Sequence, residues 1–573
     1  MTKTTLPATT VAEAYLALLR ARGVDYLFAN SGTDFPSIVE ALARAPQAGL
    51  KLPEAMVVPH ENAAMGMAHG YYMVSGRPQA VMVHVTVGTA NGICALMNAA
   101  RENVPIFFTA GRTPILESGK FGARNGFIHW GQEMFDQGGM VRELVKWEYE
   151  LRNGQQVEAV VDRALALAMT EPRGPIYLSL PREALAETVD GFAFDAQPRM
   201  APPAPAYPDP AAIERAAALL AKAEFPIIVT TRAARDPDTF AALTDLAERF
   251  ALPVVEYRAR YNALPSDHPM HLGYDYGPWV EAADAALVLD SDVPWVPALP
   301  GPKPDIKVVQ IGPDPLFGDY PVRSFPAEIA ITSRVPPALD ALSEALAEAT
   351  KGKKGALEAR YKKIAALHLE LRAKARKPAE GPQSAPMNAA WVSHCIDKAK
   401  DDDTIVVSEL GVVPPVMTFT RPGTYFNSGA AGGLGWGLPA ALGAKLAVRD
   451  SGRDRTVIAT IGDGSYMFAN PVACHQVGEA QRLPVLTIVF NNARWHAVRR
   501  ATAALYPQGH ALRSNTAPLT SLEPSPAYEK VIEASGGYGE RVADPAELPK
   551  ALDRALDAVR GQGRQALLNV IVD

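Results

Sequence analysis

The sequence predicts an α/β protein built of three doubly wound, parallel-sheet domains. Three observations carry this. Short apolar, β-branched runs recur along the chain and alternate with helical patterns, which is the arrangement that makes parallel sheets. Two Pro-rich stretches, at 201–210 and 378–386, divide these runs into three groups. At 573 residues the chain is long enough for several domains, each burying its own core.

The first unit is expected at 1–190, with strands at 26–29, 56–58, 80–85, 105–109 and 175–180. Its second strand run ends at Pro59, and a helix rich in small residues begins at Glu61. An acid in a helical first turn is favourable in its own right. The small residues Ala63, Ala64, Gly66, Ala68 and Gly70 argue further for a closely packed face. The middle unit is expected at 205–345, with strands at 226–229, 253–256, 286–290 and 307–311. The third is expected at 386–573, with strands at 404–408, 457–461, 485–490 and 567–572.

Composition narrows the function. The chain is 48% apolar and 21% charged, as soluble globular proteins are. Its net charge of −6, with no long run of one sign, argues against nucleic acid as a partner. The basic cluster from Lys351 to Lys363 is interleaved with Ala, Leu and Glu and reads as a solvated linker helix. Cys94, Cys395 and Cys474 have neither disulfide nor zinc spacing and suit a reducing compartment. The start lacks a secretory apolar region, and no apolar run is long enough to span a membrane. The expectation is a cytoplasmic protein without membrane contact.

The chemistry is concentrated near the C-terminal end. Thr456-Val-Ile-Ala-Thr-Ile-Gly462-Asp463-Gly464-Ser465 is followed, after a helical crossover, by Pro484-Val-Leu-Thr-Ile-Val-Phe-Asn491-Asn492. Asp463 and Asn492, 29 positions apart, fall at the carboxyl edge of a parallel sheet, where such sheets bind ligands. A carboxylate and a carboxamide suit magnesium, which takes one or two protein oxygens and fills its octahedron with phosphate oxygens. Gly462 and Gly464 leave room for phosphates, and the helix after Ser465 turns its N–H groups toward them. A plain turn with a capping Asp gives the same short pattern. The His60-Glu61-Asn62 segment favours the cofactor reading.

Together the two segments resemble thiamine diphosphate enzymes of the decarboxylase and acetolactate synthase branch. The resemblance spans nearly the whole chain. It implies pyrimidine-binding, middle and diphosphate-binding domains in that order, and thiamine diphosphate with magnesium as cofactors. Glu61 matches the carboxyl that activates the pyrimidine, and Asn91, in the 87–91 stretch, matches the loop lining it. Gly432 matches the carbonyl that accepts from the 4′-amino group. Leu434 matches the wedge that bends the cofactor, and Gly411 a loop on the diphosphate. Gly462, Gly464 and Ser465 complete the diphosphate cradle. Asp463, Asn492 and Arg494 are the implied metal set. The family places its cofactor between two subunits, which implies at least a dimer and favours a tetramer.

The same resemblance suggests a pocket like that of benzoylformate decarboxylases. Thr33 matches a hydroxyl on the substrate carboxylate, His84 a catalytic histidine, and His268 a second one. Imidazole suits such proton transfers near neutral pH. Gln132 resembles the pocket glutamine of acetolactate synthases. The implied reaction is decarboxylation or carboligation of a 2-oxo acid through an enamine, with an aldehyde or oxo acid as possible acceptor. An acetolactate synthase-like acyl transferase and a catalytically inactive relative are the alternatives. Thr230-Thr-Arg-Ala-Ala-Arg235 lacks the paired glycines expected beside a flavin in the middle domain.

Overall fold

The computed structural model describes residues 3–380 and 383–573, so the 378–386 linker is described only in part, and Met1 and Thr2 lie outside it. Strand β1 (Lys3–Leu6) pairs antiparallel with β8 (Phe192–Asp195) in a small ribbon. The first main sheet contains β2 (Tyr26–Ala29), β3 (Glu54–Val57), β4 (Ala80–Val83), β5 (Phe107–Arg112), β6 (Glu148–Glu150) and β7 (Ile176–Pro181). It is parallel throughout, in the order β3-β2-β4-β5-β7-β6. The middle sheet contains β9 (Pro226–Thr230), β10 (Val254–Val255), β11 (Ala285–Leu289), β12 (Lys307–Gly312) and β13 (Ile329–Thr332), in the parallel order β10-β9-β11-β12-β13.

The third sheet contains β14 (Ile405–Glu409), β15 (Tyr425–Asn427), β16 (Val457–Gly462), β17 (Leu486–Asn491), β18 (Tyr538–Val542) and β19 (Ala566–Ile571). Its parallel order is β15-β14-β16-β17-β19-β18. Taken in chain order, the strands of the first and third sheets occupy identical places. The two domains share one topology, although their sequences show no obvious repeat.

Three differences from the sequence expectation bear on the site. The strand expected at 80–85 stops at Val83. Val85 then turns the chain at a φ of 32°, a strained conformation for a β-branched residue, and its N–H is held by Asp34 at 3.2 Å. The 87–91 stretch expected as a loop therefore lies in the helix Val85–Arg101. The crossover after Asp463 is split into two helices, Asp463–Phe468 and Pro471–Ala480, with Asn470 between them at a φ of 53°.

The helix Glu61–Ser75, which follows β3, packs along the helix Gly437–Asp450, which follows β15. Small residues make this approach possible. A Cβ at Gly70 would strike the Ala440 carbonyl, one at Gly443 the Met67 carbonyl, and one at Gly66 the Pro439 ring. The apolar cluster beneath includes Met65, Tyr71, Leu438, Ala441 and Leu442 and belongs to both domains. Its burial locks the carboxyl edges of the two sheets into one relation. Among the described residues no helix is long and apolar enough to cross a membrane.

Candidate active site

The segments that follow β2, β3 and β4 converge because these strands are neighbours. Glu61 opens its helix and is 7% exposed. Its Oε1 accepts from the Asn30 carboxamide at 2.9 Å, and its Oε2 from the Asn91 carboxamide at 2.5 Å. Both carboxylate oxygens are thus aimed by amides from flanking segments. A Cβ at Gly88 would stand 3.3 Å from Oε1, so this glycine keeps the helix close to the acid. Asn30 has no counterpart among the residues singled out in the sequence.

Beside this acid lies a second cluster. The Nδ1 of His84 is 2.5 Å from Oδ1 of Asp34, whose other oxygen accepts the Val85 N–H. The His84 Nε2 faces the Gln132 carboxamide nitrogen at 3.0 Å. An acceptor at Nε2 and a donor at Nδ1 follow from these partners. Asp34 is 4% exposed. Its hydrogen bond and charge hold His84 protonated to a higher pH than an ordinary histidine, against the opposing effect of burial. Two glycines clear the socket. A Cβ at Gly32 would strike the His84 ring, and one at Gly111 would strike the Asp34 carboxylate. Thr33, next to Gly32, is exposed at this turn. His129 is buried near Gln132, and burial lowers its proton affinity.

His268 does not join this group. Its Nδ1 accepts from the Met270 N–H at 3.1 Å, and its Nε2 lies 3.1 Å from Glu248. The expected second catalytic histidine instead closes a turn and an ion pair within the middle domain.

In the third domain β15, β14, β16 and β17 bring the loop around Leu434, Gly411, Asp463 and Asn492 to one carboxyl edge. Asp463 accepts the Gly464 N–H through Oδ1 at 2.8 Å, while its Oδ2 is buried without a partner. Burial raises the acid's proton affinity, and the N–H groups of residues 464 and 492–494 oppose the rise. The Asn492 Oδ1 accepts from the Arg494 N–H at 3.2 Å. An orphaned carboxylate oxygen beside this turn fits a divalent cation that draws its other oxygens from a diphosphate. Among the described residues no three His, Cys, Asp or Glu cluster as an all-protein metal site. A Cβ at Gly464 would strike the Trp495 ring, so this glycine also lets Trp495 pack against the turn. Gly432 turns at a φ of 68°, and a Cβ there would meet nothing.

The two edges meet within one chain. The Asn98 carboxamide donates to the Gly433 carbonyl at 2.7 Å and accepts its N–H at 3.1 Å. Glu102 accepts the Ala430 N–H at 3.3 Å, and Asn470 reaches His60 at 3.3 Å. A cavity of about 1090 Å³ between the middle and third domains reaches Gly411 and the segment 427–430. Beside β9 and β11, where a doubly wound domain takes nucleotides, a cavity of about 290 Å³ is lined by Ala233, Arg235, Asp290 and Pro313. Arg232 pairs there with Asp290 at 3.1 Å and lies over the Phe317 ring.

Comparison with known proteins agrees with this architecture. Family profiles for the N-terminal TPP binding domain, the central domain and the C-terminal TPP binding domain of thiamine pyrophosphate enzymes match residues 9–140, 213–342 and 411–570. A benzoylformate decarboxylase of Pseudomonas aeruginosa is 28% identical, over 86% of this chain and 87% of its own. A sulfoacetaldehyde acetyltransferase of Rhodobacter capsulatus is 27% identical, over 98% of this chain and 94% of its own. The crystal structure of benzoylformate decarboxylase from Polynucleobacter necessarius has the same fold, with a TM-score of 0.79 at 21% identity, covering 98% of each chain. The convergent edges of the first and third sheets, with all three domains matched in order, place the chain in the thiamine pyrophosphate enzyme family.

Proposed function

We propose that the protein is a thiamine diphosphate- and magnesium-dependent 2-oxo acid decarboxylase or carboligase. The observation that carries the proposal is His84, oriented by buried Asp34 and turned toward Gln132 beside the Glu61 cluster. When bound, the cofactor supplies the nucleophilic carbon and the electron sink. Glu61, Asn91, Gly432 and Leu434 would hold its ring portion. Gly411, Gly462, Gly464 and Ser465 would hold its diphosphate, with Asp463, Asn492 and Arg494 around the metal. Thr33 offers a free hydroxyl for the substrate carboxylate. His84 gives and takes a proton at Nε2 while Asp34 keeps the other ring proton at Nδ1. Gln132 occupies Nε2 until a substrate takes its place.

The acyl transferase reading draws on one specific contact, that of Gln132 with His84, and on the relative named as an acetyltransferase. The test is carbon dioxide release from a panel of 2-oxo acids, with and without an aldehyde or oxo acid acceptor, on wild type, His84→Ala and Gln132→Ala. The decarboxylase reading expects His84→Ala to lower release about 10²–10⁴-fold. Near wild-type release by His84→Ala, with carboligation lost in Gln132→Ala, would replace it with the transferase. We also propose a homodimer or tetramer. Its support is the exposure of Phe121, Phe127 and Phe135 and of the helix His496–Leu505, which buries no residue. Sedimentation of the active protein decides, and a fully active monomer would refute it.

A further inference from the structure

The third domain contains a buried carboxylate that has no part in the assignments so far. Glu409 ends β14 and is 1% exposed. Its Oε1 accepts the Gly435 N–H at 2.8 Å, and its Oε2 accepts the Gly437 N–H at 2.6 Å. These are the first and third amides after Leu434. The loop could not approach so closely with a side chain at 437, where a Cβ would stand 3.0 Å from the Glu409 Cβ. The Ser465 hydroxyl and the Trp436 N–H also act on the carboxylate. Beyond Glu409 the chain turns through Leu410 at a φ of 57° to Gly411, which lies against the Thr460 backbone. One carboxylate therefore touches or adjoins three segments: 409–411, 432–437 and 463–465.

Such a group is expensive to keep. Among the described residues no cation pairs with it, and burial pushes its acid up to about 7. Two backbone N–H groups would need other acceptors without it, and the loop around Gly432 and Gly435 uses left-handed backbone that does not hold itself in place.

We infer that Glu409 is a positioning residue, which fixes the 432–437 loop, and with it Leu434 and the Gly432 carbonyl, in the shape that receives the cofactor before the cofactor arrives. The inference rests on the thiamine diphosphate reading for its ligand. Its statement about the loop can be judged separately.

The experiment is amide hydrogen exchange on the cofactor-free full chain, paired with calorimetric titration of thiamine diphosphate and magnesium. In wild type the Gly435 and Gly437 amides should be protected. In Glu409→Gln a single carbonyl oxygen must serve both amides, and an NH₂ group faces one of them. Exchange at those two amides should rise at least about tenfold, and cofactor affinity should fall about tenfold or more, the usual effect of losing a hydrogen bond to a charged group. Amides of β14 and β16 should keep their protection, which separates loop release from unfolding. Glu409→Asp retains the charge and should give intermediate values, and it serves where the Gln variant does not fold. Free exchange of both amides in wild type would overturn the inference without any variant. Wild-type protection and affinity in Glu409→Gln would overturn it as well. Failure of the wild type to bind thiamine diphosphate would remove the cofactor reading alone, and the exchange rates would still decide whether Glu409 fixes the loop.

Discussion

Asp34→Asn isolates the pairing on which the proposed proton chemistry depends. The substitution preserves shape and removes charge. In the wild type one Asp34 oxygen takes the His84 Nδ1 proton at 2.5 Å, and the other takes the Val85 N–H at 3.2 Å. An asparagine has one oxygen for these two donors, so either His84 or Val85 faces an NH₂ group. A hydrogen bond to a charged group contributes roughly 1.5–3 kcal/mol. Its loss should move the His84 titration to lower pH. Above both titrations the protonated fraction, and any step that needs it, should fall roughly 10–100-fold. The basic limb of the pH–rate profile should move to lower pH by the same interval. Stability should follow the same linkage. A histidine whose proton affinity is raised on folding adds stability that is fully present below its unfolded value and lost as pH rises through its folded value. The stability gap between wild type and Asp34→Asn should therefore narrow above that value. NMR titration of the His84 ring, with a pH–rate profile on any accepted 2-oxo acid, measures both effects. An unchanged His84 titration in Asp34→Asn would refute the coupling, whatever happened to the rate.

Other outcomes follow from the same geometry. Gly111→Ala places a methyl group where the Asp34 carboxylate now lies. It should lower stability by about 1–3 kcal/mol through overpacking, with a rate loss matching that of Asp34→Asn. Wild-type turnover would show that Asp34 need not occupy its present place. Glu61→Gln should still bind cofactor but lose most activity, because the amide cannot carry the pyrimidine proton. Deuterium exchange at the thiazolium C2, followed by NMR, tests this, and wild-type exchange would exclude Glu61 as activator. Asp463→Ala removes the only negative charge in the proposed metal set and should abolish tight binding of magnesium and thiamine diphosphate with the fold intact. Unchanged affinity by calorimetry would end that assignment.

The central strands were legible because buried parallel strands are written as apolar runs. Four of the six edge strands of the main sheets, β6, β13, β15 and β18, were not. Glu148-Tyr149-Glu150 is three residues with two charges, and Tyr538–Val542 mixes Gly, Glu and Arg. Edge strands are often short and charged, which protects them from pairing with other chains. The continuation of β4 through His84 and Val85 looked equally apolar. It fails because Asp34, fifty residues earlier, takes the Val85 N–H and bends the chain. In the candidate site, Glu61, Asp463 and the loop around Leu434 were singled out from local motifs. Asn30 and Asp34 stand on either side of Thr33 but look like ordinary turn residues. Only the fold shows that Gly32 and Gly111 make room for Asp34 and His84. Glu409 left one signal, an acid closing an apolar run before Leu-Gly, and its partners lie 26 and 28 residues away.

The shared topology of the first and third domains explains why the active site takes its present form. In each sheet the strand first in sequence is flanked by the second and third, and the loops after these strands meet at the carboxyl edge. The first domain puts Glu61 after its second strand and His84 after its third. The third domain puts the Leu434 loop and Asp463 in the equivalent places. The helices following the two second strands are the ones that pack together through Gly66, Gly70 and Gly443. Equivalent edges are thereby set opposite each other, one carrying Glu61 and His84 and the other the Leu434 loop and Asp463. Close helix packing does not deform gradually, so the separation of the two edges is fixed when the core forms. The proposed chemistry is then divided between two domains, neither complete alone, and the small-residue face of the Glu61–Ser75 helix sets the distance between the two edges.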